Sequence, residues 1–161
     1  MAVLGGCQYS QRGGLPEHAK SVAVPVFRNL TYITDYTRQV EVEVTQAVRR
    51  AFLQTGELRV AGREDADLIL EGEVRELERE TVRTDRYGDP AEVRVTLRAR
   101  VSLYDVKNSR YLFRNRILTN GDRRPESGVY SLRRGEPESE ARKQAVEDLG
   151  RRIARAVVEN W

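Results

Sequence analysis

Arginine is the residue type in this sequence whose number and spacing could do chemistry. Its guanidinium group carries a planar fork of N–H donors that matches phosphate and carboxylate oxygens. The candidates are Arg83 and Arg86 in a hairpin, Arg94, Arg98 and Arg100 on one strand, and Arg123, Arg124, Arg133 and Arg134 in a loop. The hairpin and loop arginines, taken as a set, indicate anion recognition. The alternative is a solvated surface on which the many glutamates balance the arginines.

Cys7 is the second candidate, and it follows Leu4-Gly5-Gly6. An apolar residue, two small residues and a cysteine form the pattern of a bacterial lipobox. The cysteine thiol would accept a diacylglyceryl group, and two or three acyl chains give stable membrane anchoring. We therefore predict lipid attachment at Cys7, with a free thiol as the alternative. Residues 1–6 contain no Lys or Arg, so we expect a truncated or absent signal sequence and an unmodified cysteine in this chain.

No catalytic constellation accompanies these residues. His18 is the one histidine and Cys7 the one cysteine, so they cannot build a zinc site. The paired glycines lack the Lys-Ser/Thr of a phosphate loop, and no serine lies in a nucleophile elbow. We predict that the protein is not an enzyme, and we expect no metal and no cofactor. His18 itself is expected to be an exposed polar residue.

The composition favours one folded domain. The chain has 161 residues, of which 39% are hydrophobic and 33% charged, and its net charge is only +3. The length suits a single domain, and the apolar residues fall into periodic runs rather than a diluted, disordered pattern. No run approaches the ~20 apolar residues that span a bilayer. We predict a lipobox and extended leader over residues 1–17 and a single domain over residues 18–161.

Hydrophobic periodicity defines the elements that must position these residues. Apolar residues at spacings of three and four predict helices over 35–55 and 137–160. Alternation predicts strands over 67–83, 92–104 and 111–119, and a β-branched run predicts another over 21–27. Pro25 would place that strand at an edge or beside a bulge. Leu77 breaks the alternation of its strand, which predicts a second bulge.

The connecting segments complete the expected architecture. Residues 84–91 form a hairpin turn, 105–110 a tight turn, 58–60 a short strand or extended segment and 120–136 a mobile loop. The order β-α-β-β-β-α predicts an α/β (α+β) two-layer sandwich. Two helices pack on one face of a mostly antiparallel four-stranded sheet. The polar end of the long strand, residues 78–83, is expected to project beyond the core.

Several blocks of the sequence resemble the lipopolysaccharide-assembly lipoproteins of the LptE family. The first block runs from Leu4-Gly5-Gly6-Cys7-Gln8-Tyr9-Ser10 through Arg12-Gly13-Gly14-Leu15-Pro16 to Val24-Pro25-Val26-Phe27-Arg28-Asn29. The second is Ala66-Asp67-Leu68-Ile69-Leu70-Glu71-Gly72-Glu73-Val74, and the third is Ala145-Val146-Glu147-Asp148-Leu149 in the final helix. The resemblance covers nearly the whole chain.

The resemblance implies a function as well as a fold. It implies an outer-membrane lipoprotein at the periplasmic face, anchored through Cys7, that plugs the β-barrel of the LptD protein and assists lipopolysaccharide assembly. It also implies lipopolysaccharide binding by basic residues at the hairpin end and the following loop, here Arg83, Arg86, Arg123 and Arg124. Nucleic acid is not an expected partner.

Two other functions are compatible with the same architecture. The first is an envelope lipoprotein that regulates another partner, such as a cell-wall synthase. The second is an RNA-binding α/β domain that uses its arginine-bearing strand. That strand face lacks the aromatic platforms on which single-stranded bases stack.

Overall fold

The computed structural model describes residues 14–32, 34–121 and 125–159. The strands are β1 (Ser21–Ala23), β2 (Arg28–Asn29), β3 (Arg59–Val60), β4 (Leu68–Thr84), β5 (Pro90–Asp105), β6 (Arg110–Thr119) and β7 (Val129–Ser131). The helices are α1 (Val40–Thr55) and α2 (Glu138–Val158). All strands join one sheet in the order β3-β1-β4-β5-β6, with β2 beside β4 and β7 beside β5.

The sheet is mixed, and its antiparallel part is the larger. The pairs β4–β5, β5–β6 and β5–β7 are antiparallel, whereas β1 and β2 run parallel to β4 and β1 runs parallel to β3. Both helices cover one face, so the predicted two-layer α+β sandwich is confirmed. The strands beyond the predicted four, β2, β3 and β7, are two or three residues long. They lie on either side of the β4–β5 pair.

The core lies between the helices and one face of the sheet. Along β5 every second residue is buried, as the alternation predicted. The apolar stripes predicted for the two helices are buried, including Phe52 on α1 and Leu149 and Ile153 on α2. The helices pack closely because Gly150 has no side chain: a Cβ there would lie 2.7 Å from the Ala47 backbone. The opposite, open face of the sheet carries the polar residues of β4 and β5.

The strand predicted over 21–27 is interrupted. It ends at Ala23 and resumes as β2, and β1 is not an edge strand because β3 lies outside it. The segment between β1 and β2 is held by side chains of α1 instead. Arg49 donates to the Val24 carbonyl through Nη2 at 2.6 Å, and the Phe27 N–H donates to Thr45 Oγ1 at 2.9 Å. Side chains of the helix therefore replace the hydrogen bonds that Pro25 disrupts.

Helix α1 begins at Val40 rather than at residue 35. Gln39 has a left-handed backbone with φ of 63°, which ends the preceding turn. Thr37 Oγ1 accepts from the Thr34 N–H at 2.8 Å and donates to the Tyr32 carbonyl. Threonine side chains that bond to nearby backbone in this way compete with helix formation.

The segment predicted as a mobile loop, 120–136, contains strand β7. Asn120 is buried beside β5, and its side-chain amide makes hydrogen bonds to the β5 backbone in place of a neighbouring strand. Its Oδ1 accepts from the Leu97 N–H at 2.6 Å, and its Nδ2 donates to the Val95 carbonyl at 3.0 Å. The chain then pairs again with β5 at residues 92–94. The side chain of Asn120 thus continues the hydrogen bonding along β5 between the end of β6 and the start of β7.

The irregularity predicted near Leu77 is confirmed. The register of β4 against β5 shifts between Val74 and Glu76, and Leu77 then returns to the buried face. The last seven residues of β4 are all exposed, which confirms that the polar end of the strand leaves the core. The β4 half of the hairpin therefore lies outside the core, whereas Ala91 and Val93 of its β5 half are buried and lie beside β7.

Candidate anion-binding site

The tip of the β4–β5 hairpin is organised by one carboxylate. Asp85 Oδ1 accepts from the Tyr87 N–H at 2.8 Å and from the Asp89 N–H at 3.1 Å. The bond from Tyr87, aided by the guanidinium of Arg133, holds the pKa of Asp85 below its ordinary value. Gly88 supplies the positive φ of 86° that the turn requires. The sequence itself thus fixes the shape of the tip.

Arg83, Arg86 and Arg133 lie at or contact this turn, and Arg134 is adjacent to Arg133 in sequence. We call these four arginines the hairpin-tip cluster. Three of them contact carboxylates, in the pairs Arg83–Glu92 at 2.9 Å, Arg133–Asp85 at 3.0 Å and Arg134–Glu136 at 2.8 Å. Arg86 instead lies over the ring of Tyr87, with 4.8 Å from its Cζ to the ring centroid. Arg133 reaches the tip from the loop after β7 through its contact with Asp85, as the sequence grouping of hairpin and loop indicated.

In each of these three pairs the carboxylate side chain is less exposed than the arginine side chain. The side chain of Arg83 is 67% exposed and that of Arg133 is 61% exposed, whereas Asp85 is only 14% exposed. The cluster can therefore present N–H donors outward. Its charge is nevertheless nearly balanced, because Asp85, Asp89, Glu92 and Glu136 lie among the four arginines. The described residues of the tip offer directed donors rather than a strong positive field.

The arginines of β5 are also engaged. Arg98 Nη1 lies 2.8 Å from Glu76 Oε2, and Arg100 Nε donates to Glu73 Oε2 at 2.8 Å. Arg94 Nη2 donates to the Pro125 carbonyl at 3.1 Å. Glutamates of β4 therefore face arginines of β5 across the open face, which matches the charge-balanced interpretation of this strand.

Three predicted site residues lie outside the described residues: Cys7, Arg123 and Arg124. The positions on either side of residues 122–124 are fixed by hydrogen bonds. The Gly121 N–H donates to Asp148 Oδ2 at 2.9 Å, and the Pro125 carbonyl accepts from Arg94. The structure thus brings together Arg83 and Arg86 of the predicted set and does not describe the other two.

His18 has a partner that the sequence did not indicate. Its Nε2 lies 2.9 Å from Oδ1 of Asp105, a residue with no exposed surface. Burial alone would raise the pKa of Asp105, but hydrogen bonds from Asn108 and His18 hold it below its ordinary value. The two residues are 87 positions apart, so no local pattern could have paired them. This contact joins the segment before β1 to the end of β5 far from the hairpin.

Across the described ranges, no group of three or more His, Cys, Asp or Glu side chains is arranged to hold a metal ion. Neither of the two described helices combines the length and apolarity needed to cross a bilayer.

Comparison with known proteins identifies the family. The family model for LptE, described as lipopolysaccharide-assembly, matches residues 19–159. The chain belongs to the LptE family. The match spans the sandwich from before β1 to the end of α2, so the resemblance to the family is confirmed over residues 19–159. A search of curated proteins found no relative of this LptE chain.

Solved structures share the fold at low identity. A protein from Xanthomonas campestris is 16% identical with a TM-score of 0.57, covering 89% of this LptE chain and 84% of its own. A hypothetical protein from Chlamydia trachomatis is 12% identical with a TM-score of 0.54, covering 86% and 94%. A minor lipoprotein from Acinetobacter baumannii is 15% identical with a TM-score of 0.53, covering 88% and 92%. At these identities the likeness concerns the fold alone.

Proposed function

We propose that this LptE-family chain is an outer-membrane lipoprotein that binds an LptD-type β-barrel and assists lipopolysaccharide assembly. In this proposal residues 1–17 form the lipobox and leader, Cys7 carries the lipid anchor, and residues 18–161 form the binding domain. The domain acts at the periplasmic face of the outer membrane and needs no catalytic chemistry. The observation that carries the proposal is the family match over residues 19–159.

The shape of the domain supports a role in binding. A body that fits inside a barrel needs a polar surface and a stable core, and the open face of this sheet is covered by paired charges. The last seven residues of β4 and most of the hairpin turn are exposed and present side chains to solvent. These side chains can contact a ligand while the sandwich contacts the barrel wall.

We further propose that the hairpin end binds the phosphates of lipopolysaccharide through Arg83 and Arg86, together with Arg123 and Arg124. Arginine forks match phosphate oxygens in pairs. Arg86 has no carboxylate partner among the described residues, and its position over Tyr87 leaves its N–H edges available. The near balance of charge at the tip means that Arg123 and Arg124 would supply the net positive charge for this ligand.

The first experiment tests the anchor and the partner. The chain is expressed in its native host behind a lipoprotein signal sequence, and labelled palmitate is followed. We expect label in the wild-type chain, none in Cys7→Ser, and co-purification of a large outer-membrane barrel with the wild-type chain. Absence of the chain from outer-membrane barrel complexes would contradict the partner.

The second experiment tests the hairpin site by charge reversal of Arg86, Arg123 and Arg124 to Glu. We expect at least about tenfold weaker lipopolysaccharide binding, because three phosphate contacts become repulsive. The matched control reverses Arg50, Arg59 and Arg155, three exposed arginines on α1, β3 and α2, with the same change in net charge. Equal weakening in both triple variants would mean that only net charge matters and would remove the hairpin from the site.

A further inference from the structure

A groove on the open face of the sheet collects arginines from four separate parts of the chain. It encloses about 510 Å³ and lies far along β4 and β5 from the hairpin. Its basic residues are Arg28 on β2, Arg63 in the loop before β4, Arg100 on β5 and Arg114 on β6. We call these four residues and their surroundings the open-face groove. Two carboxylates, Glu71 and Glu73, also line it.

Two irregularities of the sheet shape the groove. The break in the β1–β2 row places Pro25 and Val26 along one wall. On β6, Arg114 and Asn115 both stand opposite Ser102, and the Asn115 N–H donates to Ser102 Oγ at 3.0 Å. Asn115 has φ of 54°, a left-handed conformation. A bulge of this kind re-aims a side chain, here that of Arg114.

Glu73 holds part of the basic rim in place. It is 8% exposed and contacts three guanidinium groups, those of Arg28, Arg75 and Arg100. The Arg28 side chain is nevertheless 71% exposed, so it reaches the buried carboxylate with part of its donor fork and faces solvent with the rest. A guanidinium group carries five N–H donors, more than one carboxylate can accept. Glu73 therefore orients these arginines without satisfying them.

The other two arginines are less neutralised. Arg63 Nη2 lies 3.8 Å from Glu71 Oε1, beyond hydrogen-bond distance, and its side chain is 61% exposed. Arg114 lies over the ring of Tyr111 with its Cζ 4.5 Å from the centroid, and no carboxylate contacts it among the described residues. Stacking on a ring fixes the guanidinium plane and leaves its edges open to an anion.

The excess of positive charge in the groove indicates the class of ligand that it binds. Four arginines against two glutamates leave an excess of two positive charges in the groove. A phosphomonoester carries about −1.5 to −2 at neutral pH and offers three terminal oxygens. The volume falls within the range of about 300–1,000 Å³ that small-ligand sites occupy. We propose that the open-face groove binds a phosphoryl group, with Arg63 and Arg114 as direct donors and Arg28 and Arg100 positioned by Glu73.

This proposal goes beyond the hairpin site and does not depend on it. It involves none of Arg83, Arg86, Arg123 and Arg124, and a failure of lipopolysaccharide binding at the hairpin would leave it standing. The source of the phosphoryl group is either a lipid headgroup or a free phosphate compound, and the experiment has one arm for each.

The first arm titrates the full chain with inorganic pyrophosphate by calorimetry. We expect R63Q/R114Q to bind at least tenfold more weakly than the wild type, while the matched variant R50Q/R155Q, on the helices and outside both arginine regions, binds unchanged. Both pairs are exposed arginines, and circular dichroism checks that each variant is folded. Citrate, a tricarboxylate of similar charge at neutral pH, controls for charge alone, and equal affinity for citrate would overturn the phosphoryl assignment.

The second arm uses vesicles of phosphatidylcholine with and without phosphatidic acid, whose headgroup is a phosphomonoester. Flotation of the wild type but not R63Q/R114Q with the phosphatidic acid vesicles supports a lipid source. Pyrophosphate binding without flotation supports a free phosphate compound. Binding in neither arm, or equal binding by R63Q/R114Q and the wild type, would overturn the proposal.

A third variant tests the groove by a gain of affinity. Glu71 is half exposed and faces Arg63 from 3.8 Å, so it competes with an incoming anion. We expect Glu71→Gln to bind pyrophosphate several-fold more tightly than the wild type. Structural damage seldom raises affinity, so an unchanged or weaker affinity in this variant would contradict the placement of the anion beside Arg63.

Discussion

The hairpin-tip cluster and the open-face groove both gather arginines, but nearby carboxylates neutralise them to different extents. At the tip, four arginines lie among four acidic residues, and three form close ion pairs. In the groove, four arginines share two carboxylates, and Arg114 has none among the described residues. The number of arginines in a region is therefore a poor guide to its charge, and the placement of the acids decides it.

The two regions also differ in what their carboxylates do. Asp85 shapes a turn by accepting backbone N–H groups at an exposed tip. Glu73 is buried within the sheet face and contacts three guanidinium groups. Exposed ion pairs contribute little to stability, whereas a buried carboxylate with several charged donors contributes more. We therefore expect the groove to be tied to the stability of the fold and the tip to be nearly independent of it.

The largest effect is expected from Glu73→Gln. Removing the charge would leave Arg28, Arg75 and Arg100 crowded together without their shared acceptor. We expect a loss of about 2 kcal/mol in the free energy of unfolding, because hydrogen bonds to charged groups contribute about 1.5–3 kcal/mol and the exposed arginines can partly rehydrate. Urea denaturation measures the change.

Glu76→Gln is the matched control for that measurement. Glu76 pairs with Arg98 on the same face and in the same two strands, but 37% of its side chain is exposed. We expect a loss below about 1 kcal/mol. Equal losses in the two variants would show that burial of Glu73 has no special weight and would remove the distinction drawn between the groove and ordinary surface pairs.

A smaller effect, dependent on pH, is expected for Asp105→Asn. Asp105 accepts from Asn108 Nδ2 at 2.7 Å and lies 2.9 Å from His18, and these contacts hold its pKa below the ordinary value of 3.8. We expect a loss of about 1–2 kcal/mol at neutral pH. Because the folded-state pKa is depressed, the contribution of Asp105 is present above about pH 4 and is lost as the pH falls through its folded pKa.

The wild type and Asp105→Asn should therefore converge in stability under acid conditions. Urea denaturation at a series of pH values from neutral to about 3 tests this, since the unfolded carboxyl titrates near 3.9. Asp85→Asn is the comparison at the hairpin tip, where we expect a smaller loss at neutral pH. A difference between the wild type and Asp105→Asn that does not shrink as the pH falls below about 4 would contradict the assigned direction of the pKa.

The sandwich could be predicted from the sequence because its signals are local. Alternation along β5 and the helical stripes, such as that containing Phe52, depend on neighbouring residues. The misplaced elements depend on contacts distant in sequence. Arg49 and Thr45 of α1 make hydrogen bonds to the segment between β1 and β2. Asn120 makes hydrogen bonds to β5 between the end of β6 and the start of β7.

The two arginine regions differ in the same respect. The hairpin tip was visible in the sequence because a turn brings Arg83 and Arg86 together and the next loop returns beside them. The groove was not visible, because Arg28, Arg63 and Arg114 come from three segments that meet only when β2, β4 and β6 are assembled. A bulge at Asn115 is also needed to direct Arg114 inward, and nothing in the alternation of β6 marks it.

The smallest effect on stability is expected from Arg83→Gln at the hairpin tip. Its guanidinium is largely exposed and pairs with Glu92 at 2.9 Å on a part of β4 that has left the core. We expect the free energy of unfolding to change by less than about 0.5 kcal/mol, as for other exposed pairs. Lipopolysaccharide binding should fall several-fold in the same variant, while pyrophosphate binding in the open-face groove should stay at the wild-type value. A variant that loses stability as much as Glu73→Gln would contradict the independence of the tip, because it would show that the exposed end of the hairpin is coupled to the core.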